Sequence, residues 1–196
     1  MSDLRGMLRE ATSTRHEALD LRVLAHRPFG TRARYAALVR AHHALFATAA
    51  PFYCNATLRG WIPGLSVRDR TALAAQDLDH LGAGPATPLA LENSDPECGL
   101  GWVYVIEGSK MGGAVLARQA QQIGMTGQHG ARHLAPAAEG AALHWRTLVE
   151  ALNAVPITED GVSRAIGGAM AAFAAASLIV EREFAAISAA QDGPQE

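Results

Sequence analysis

Five glycines crowd into a stretch that otherwise reads as one apolar helix: Gly99, Gly101, Gly108, Gly112 and Gly113. Each interior glycine costs a helix up to about 1 kcal/mol relative to alanine. A helix that keeps five has either a bend or a close neighbour to accommodate. Gly108 and Gly112 are four residues apart and share a helix face. Bare backbone on that face admits another helix, or something flat, to van der Waals reach, and the spacing leaves both open. The run Gly108-Ser109-Lys110-Met111-Gly112-Gly113 is not a phosphate-binding loop, because its lysine does not follow a GxxxxG frame. No strand precedes it, so it is not a dinucleotide fingerprint either.

The rest of the chain also reads as helix. Leu4, Leu8, Ala11, Arg15 and Leu19 recur at three-to-four spacing and predict a first helix over 3–21. Thr31 caps a second over 32–53, and Ser66 is placed to cap a third over 67–81. A loop runs from Gly82 to about 95. The glycine-rich helix spans 97–123, a loop covers 124–130, and two more helices fill 136–154 and 158–189. No alternating apolar run, hairpin signal or internal repeat is present. The expectation is an all-α fold in a single domain, 1–190, with a polar tail at 191–196.

Seventeen Lys and Arg against nineteen Asp and Glu give a net charge of −2. That argues against a broad electrostatic nucleic-acid surface, which needs a basic excess. With 49% hydrophobic and 18% charged residues, the chain can build a large core and is not intrinsically disordered. The uncharged run Ala165–Val180 falls short of the roughly 20 residues of a membrane span and reads as a buried helix. Met1-Ser2-Asp3-Leu4-Arg5 shows no apolar signal region, so a cytoplasmic protein with no membrane partner is expected. Cys54 and Cys98 have no metal or redox spacing.

Among the eight histidines, His16 shares a helix side with Thr12 and Arg9. The structural reading is a satisfied helix histidine. The functional reading is a single axial ligand to an iron cofactor. His129 and His133 lack the glutamate of a zinc helix and read as part of a solvated loop. Asp77-Leu78-Asp79-His80 imitates half of a di-iron motif, and the second half is missing. Of the adjacent His42 and His43, at most one is expected in a core.

Taken together and in order, two segments carry a resemblance. Leu8-Arg9-Glu10-Ala11-Thr12, followed by His16-Glu17-Ala18-Leu19-Asp20, resembles the proximal helix of haem oxygenases. Gly101-Trp102-Val103-Tyr104-Val105-Ile106-Glu107-Gly108-Ser109-Lys110-Met111-Gly112-Gly113 resembles their distal helix. The pattern is most similar to the bacterial, biliverdin-forming branch often found with bacteriophytochromes.

The resemblance implies a helical bundle with haem between the first helix and a bent distal helix. It implies His16 as the iron ligand and Gly108, Ser109 and Gly112 as the distal segment that acts in catalysis. It further implies haem contacts from Arg9, Tyr104, Met111, Gly113, Phe173 and Arg182, with Arg164 as another candidate cation. Haem would be both substrate and cofactor, opened with O2 to biliverdin, carbon monoxide and ferrous iron. Electrons would come from a ferredoxin- or flavoprotein-type donor, and a bacteriophytochrome is a possible acceptor of the product. Many relatives carry Asp where this chain has Ser109, and a serine supplies no carboxylate. Two other readings stand beside this one: a non-catalytic haem carrier on the same fold, and a haem-free helical interaction domain.

Overall fold

The computed structural model describes residues 3–91 and 94–191, with side chains through Ile187. Eight α-helices follow one another: α1 Leu4–Ala25, α2 Arg32–Cys54, α3 Ala56–Trp61, α4 Thr71–Leu81, α5 Pro96–Ser109, α6 Gly113–Gln122, α7 Ala141–Ala154 and α8 Glu159–Gln191. Three short 3-10 turns lie between them, and no strand occurs among the described residues. Of the expected tail, Gln191 ends α8 and 192–196 lie outside the described residues.

The caps follow local chemistry. Thr31 accepts a hydrogen bond from Arg34 N at 3.2 Å, as its position predicts. Ser66 caps nothing, because Leu65–Arg68 forms a 3-10 turn. Asp69 opens α4 instead, accepting from Thr71 N at 2.8 Å, so that helix starts at residue 71 rather than 67. Helix α7 likewise starts at 141 rather than 136, after Gly140 at φ 88°, a backbone conformation that disfavours any side chain. The short helix α3 has too few residues for its periodicity to show in the sequence.

The glycine-rich stretch is not one helix. A 3-10 turn, Lys110–Gly112, divides α5 from α6. The bend expected from the glycines therefore lies at residues 110–112.

Helix α8 is the central post of the bundle, packing on α5, α2 and α1. Its inward stripe is Ala165, Ala169, Ala172, Ala176 and Ile179, all buried. Small residues let the helices approach closely. A Cβ on Gly101 would overlap the Ala165 carbonyl, and one on Gly168 would overlap the Cys98 carbonyl. Glu159–Ile187 is long and apolar enough to cross a membrane by length and composition. This is more than the uncharged run alone suggested, and the apolar stripe that faces α5, α2 and α1 accounts for part of it.

Candidate functional site

Arg5, Arg9, Thr12 and His16 are spaced four, three and four apart and so form one stripe along α1. His16 keeps 60% of its side chain exposed. Its Nδ1 lies 3.1 Å from the Asp20 carboxylate, one turn on. The Phe173 ring meets it edge-on, with centroids 5.9 Å apart. One nitrogen is thus oriented by a carboxylate, and Nε2 meets no protein partner among the described residues. An imidazole held in this way by a carboxylate can serve as a metal ligand through its other nitrogen. Asp20 was legible only as an HxxxD spacing, which is too common to single out.

Tyr104 faces the other end of that stripe. Burial raises its pKa, and the nearby Arg5 and Arg9 guanidiniums pull the other way without reversing the shift. Thr12 also lies against it. Arg9 is exposed, and the Nε of Arg5 is buried without a hydrogen-bond partner.

The glycines divide into two kinds. Gly99, Gly101 and Gly113 serve packing: their missing side chains would strike Phe52 and Leu58, the Ala165 carbonyl, and the Leu134 carbonyl respectively. At Gly108 a Cβ would make ordinary contact with the Trp145 ring at 3.6 Å. At Gly112 it would meet nothing within 4 Å, and the backbone there is right-handed, with φ −76°. Neither packing nor conformation requires glycine at position 112. Met111 beside it is 43% exposed. Ser109 Oγ donates back to the Ile106 carbonyl at 2.8 Å, which satisfies an acceptor at the end of α5.

Glu107 fixes the start of the bend. It is buried and accepts from Tyr53 Oη at 2.6 Å, while His144 Nε2 lies 3.0 Å and Lys110 Nζ 2.5 Å from it. Arg68 stands 3.5 Å away. Burial opposes ionisation, but His144, Lys110 and Tyr53 outweigh it and hold the pKa at about 2. His144 also reaches Glu139, at 2.7 Å. The sequence quoted Glu107 inside a motif without revealing this cluster, because its partners come from α2, the 65–68 turn and α7.

A second buried cluster joins α2, α4 and the 132–134 turn. His133 Nδ1 is 2.7 Å from Asp77 Oδ2, and His133 Nε2 is 3.0 Å from His42 Nδ1. The His133 backbone N–H also donates to Asp77, at 2.9 Å. His133 is 3% exposed, which corrects its reading as a solvated loop residue. His129 does remain exposed, with its ring 5.4 Å from that of His80. His43 is buried and His42 half-buried, so both enter the core region, because α2 is covered on two sides.

Other candidate residues fall elsewhere. Arg182 donates to the Thr87 carbonyl at 2.7 Å and pairs with Glu183, so its donors hold the 82–91 loop. Arg164 pairs with Asp95 and Glu97. The structure brings neither to the Arg5–Arg9–Tyr104 group. Among the described residues no cluster of three or more His, Cys, Asp or Glu could hold a metal ion.

Comparison with known proteins gives a consistent picture. Residues 64–182 match the family described as "Heme oxygenase". Heme oxygenase PigA of Pseudomonas aeruginosa is 33% identical over 177 residues, 89% of each chain. The NO- and CO-bound heme oxygenase of Neisseria meningitidis superposes with a TM-score of 0.89 at 32% identity, covering 94% of each chain. Heme oxygenase from Leptospira interrogans, at 16% identity, shares the fold with a TM-score of 0.78 over 92% of this chain and 100% of its own.

Proposed function

The chain belongs to the haem oxygenase family, and on that footing we propose that haem lies between α1 and the 110–112 bend, with His16 as its axial ligand. The enzyme cleaves haem with O2 to biliverdin, carbon monoxide and ferrous iron. Haem supplies the iron that activates oxygen and the ring that is opened.

Gly112 is the observation that carries the placement. Its missing side chain benefits no protein neighbour, so the bare backbone serves a flat partner outside the fold. Gly108, four residues earlier, continues that surface and Met111 borders it, whereas Gly113 packs on the Leu134 carbonyl. Ser109 holds the bend through Ile106, which makes it a positioning residue rather than a proton donor.

On the other face, Asp20 accepts from His16 Nδ1–H and leaves the Nε2 lone pair for iron. Phe173 fixes the imidazole plane. Arg9 and Tyr104, joined by Arg5, suit the two carboxylates of haem, since charge-assisted hydrogen bonds to guanidinium are the strong ones. Arg182 is left out because its donors are engaged at Thr87 and Glu183.

Ring opening consumes electrons that no side chain in this site supplies. A ferredoxin- or flavoprotein-type reductant is therefore the expected partner, in the cytoplasm where such donors work. Biliverdin release to a bacteriophytochrome is the expected fate in the branch this sequence resembles.

The test is an absorption time course of protein with one equivalent of haem, given ascorbate or a ferredoxin system in air with catalase present. A Soret band that decays to a biliverdin spectrum with carbon monoxide released supports the reading. A Soret band that persists with both donors overturns it.

A further inference from the structure

Lys110 is the one charged residue of the run Gly108–Gly113, and the haem reading gives it no part. A lysine is rarely buried without a partner. Lys110 turns inward and keeps only 9% of its side chain exposed. Its Nζ donates to Glu107 Oε1 at 2.5 Å and to the Arg68 carbonyl at 2.6 Å. It also stands 5.8 Å from the centroid of the Tyr53 ring, within range of a cation–π contact. One ammonium thus fastens the bend to α5, to the 65–68 turn and to α2. Burial pushes the Lys110 pKa down, Glu107 opposes that shift, and Arg70 and Arg68 add to it.

The anchors are themselves held. Arg68 Nη1 donates to the His144 carbonyl at 3.1 Å and Nη2 to Thr147 Oγ1 at 2.9 Å, so the turn that offers its carbonyl to Lys110 is tied to α7. At the other end of the bend, a Cβ on Gly113 would lie 3.0 Å from the Leu134 carbonyl. That turn is tied to α4, because the His133 N–H donates to Asp77 at 2.9 Å. Only Met111 and Gly112 lie between the two fixed points. Met111 is 43% exposed, and a Cβ on Gly112 would meet nothing within 4 Å.

Nothing else on this side does the same work. A small cavity lined by Arg70, Glu107, Lys110, Met111, Pro136 and His144 borders the bend, so close packing does not fix it there. Ser109 does not tie the bend to another element, because its hydroxyl bonds to Ile106 within α5. A buried ion pair adds little net stability over apolar side chains of the same shape. It does add direction, since the ammonium must meet a carboxylate and a carbonyl at hydrogen-bond distance. A methionine at 110 would fill a similar volume and leave the backbone free to slide.

We propose that Lys110 is a positioning residue for haem cleavage: its tether to Glu107 and the Arg68 carbonyl holds Met111 and Gly112 at one height over the haem, and so decides which edge of the ring the bend leaves open. This rests on the haem placement proposed above. Lys110 acts through the backbone of its two neighbours, and its own charge stays with Glu107. A misplacement of about 1 Å can cost on the order of 100-fold in rate, so a tether one residue away from the exposed pair is close enough to matter.

The test begins on the haem-free wild-type protein. Nitrogen-15 spectra should show the Lys110 ammonium as a signal protected from exchange with water, and an ammonium in fast exchange overturns the tether. In the haem-loaded enzyme, Lys110→Met keeps the apolar stem and removes the donors. It should raise the haem dissociation rate at least about tenfold, as expected for losing one charge-assisted hydrogen bond. It should also broaden the mixture of biliverdin isomers. Lys110→Gln keeps a donor for Glu107 but is too short to reach the Arg68 carbonyl as well. It should show the same two changes in smaller measure, and it guards against a folding defect in the Met variant. A merely structural lysine would lower the melting temperature and leave the isomer ratio unmoved. An unchanged isomer ratio and dissociation rate in a folded variant therefore overturns the proposal. Wild-type protein that makes no biliverdin overturns the haem placement and this role with it, while the ammonium signal still shows whether the tether exists.

Discussion

Gly101 of α5 lies flush against the Ala165 carbonyl of α8, close enough that no side chain fits between them. Gly112, eleven residues on, faces nothing within 4 Å. The same residue type thus does opposite work at the two positions, and the two respond differently to one added methyl group. Gly101→Ala must push α5 off α8, at a cost of about 3 kcal/mol. For a chain of this size that lowers Tm by roughly 6–12 °C. Gly112→Ala should change stability by less than about 0.5 kcal/mol, because alanine suits right-handed backbone. Its effect appears in haem titration, as weaker binding and a shifted Soret band. Thermal melts of the two variants without haem separate packing from ligand approach.

His16 and Asp20 make a second pair with distinct expected losses. With His16 as the proposed axial ligand, His16→Ala should lower ring opening to near background. Added imidazole should restore part of the Soret spectrum. Asp20→Asn keeps the ligand and weakens its orientation, a change that typically costs about 10–100-fold in metal-site affinity or activity. His16 is 60% exposed and Asp20 is also on the surface, so neither change should move the melting temperature of the haem-free protein by more than about 2 °C.

Much of this was legible in the residues, for reasons that can be named. Helix identity follows from apolar spacing that repeats within each segment, and the five glycines of 99–113 signalled a bend or a close neighbour, both of which the structure has. His16 and the glycine segment were visible because each sits in a local pattern. What escaped notice was non-local. Glu107 meets Tyr53 from fifty-four residues away, and His133 meets Asp77 from fifty-six. Read locally, His133 sits between Gly130 and Pro136 and resembles loop. Only the approach of α4 and α2 makes it core. The Ser66 cap failed for a related reason: Asp69 is the better acceptor for the first free N–H of α4, and that competition is decided by geometry.

Arg9 and Tyr104 should govern how haem is turned within its plane. Arg9→Ala removes a charge-assisted hydrogen bond worth about 1.5–3 kcal/mol, or roughly 10–150-fold in haem affinity. Tyr104→Phe removes a neutral one, worth about 1 kcal/mol. Chromatography of the biliverdin isomers is the sharper measurement. If these two groups anchor the propionates, each variant broadens the mixture of opened meso positions, and the double variant broadens it most. An unchanged isomer pattern in the double variant would place the propionates elsewhere.

Glu107 gives the acid limb of stability its sign. Its pKa is about 2 in the fold against an ordinary 4.5, so the folded state holds its proton less readily than the unfolded chain. The stabilisation it contributes is fully present above about pH 4.5 and is lost as the pH falls toward 2. Glu107→Gln should flatten that limb. At neutral pH the same variant leaves Lys110 and Arg68 buried without their carboxylate, a loss of about 3–5 kcal/mol. Tyr53→Phe removes one hydrogen bond from the cluster and leaves the charges paired, so it should cost about 1 kcal/mol and keep the acid limb. Urea melts of wild type and both variants at pH 7 and pH 3.5 check this. An acid limb that survives in Glu107→Gln would assign it to another carboxylate that the fold holds ionised, such as Asp77. The two variants also bear on function, since Lys110 lies within the 110–112 turn. Loosening its anchor should raise the haem dissociation rate even where the fold survives.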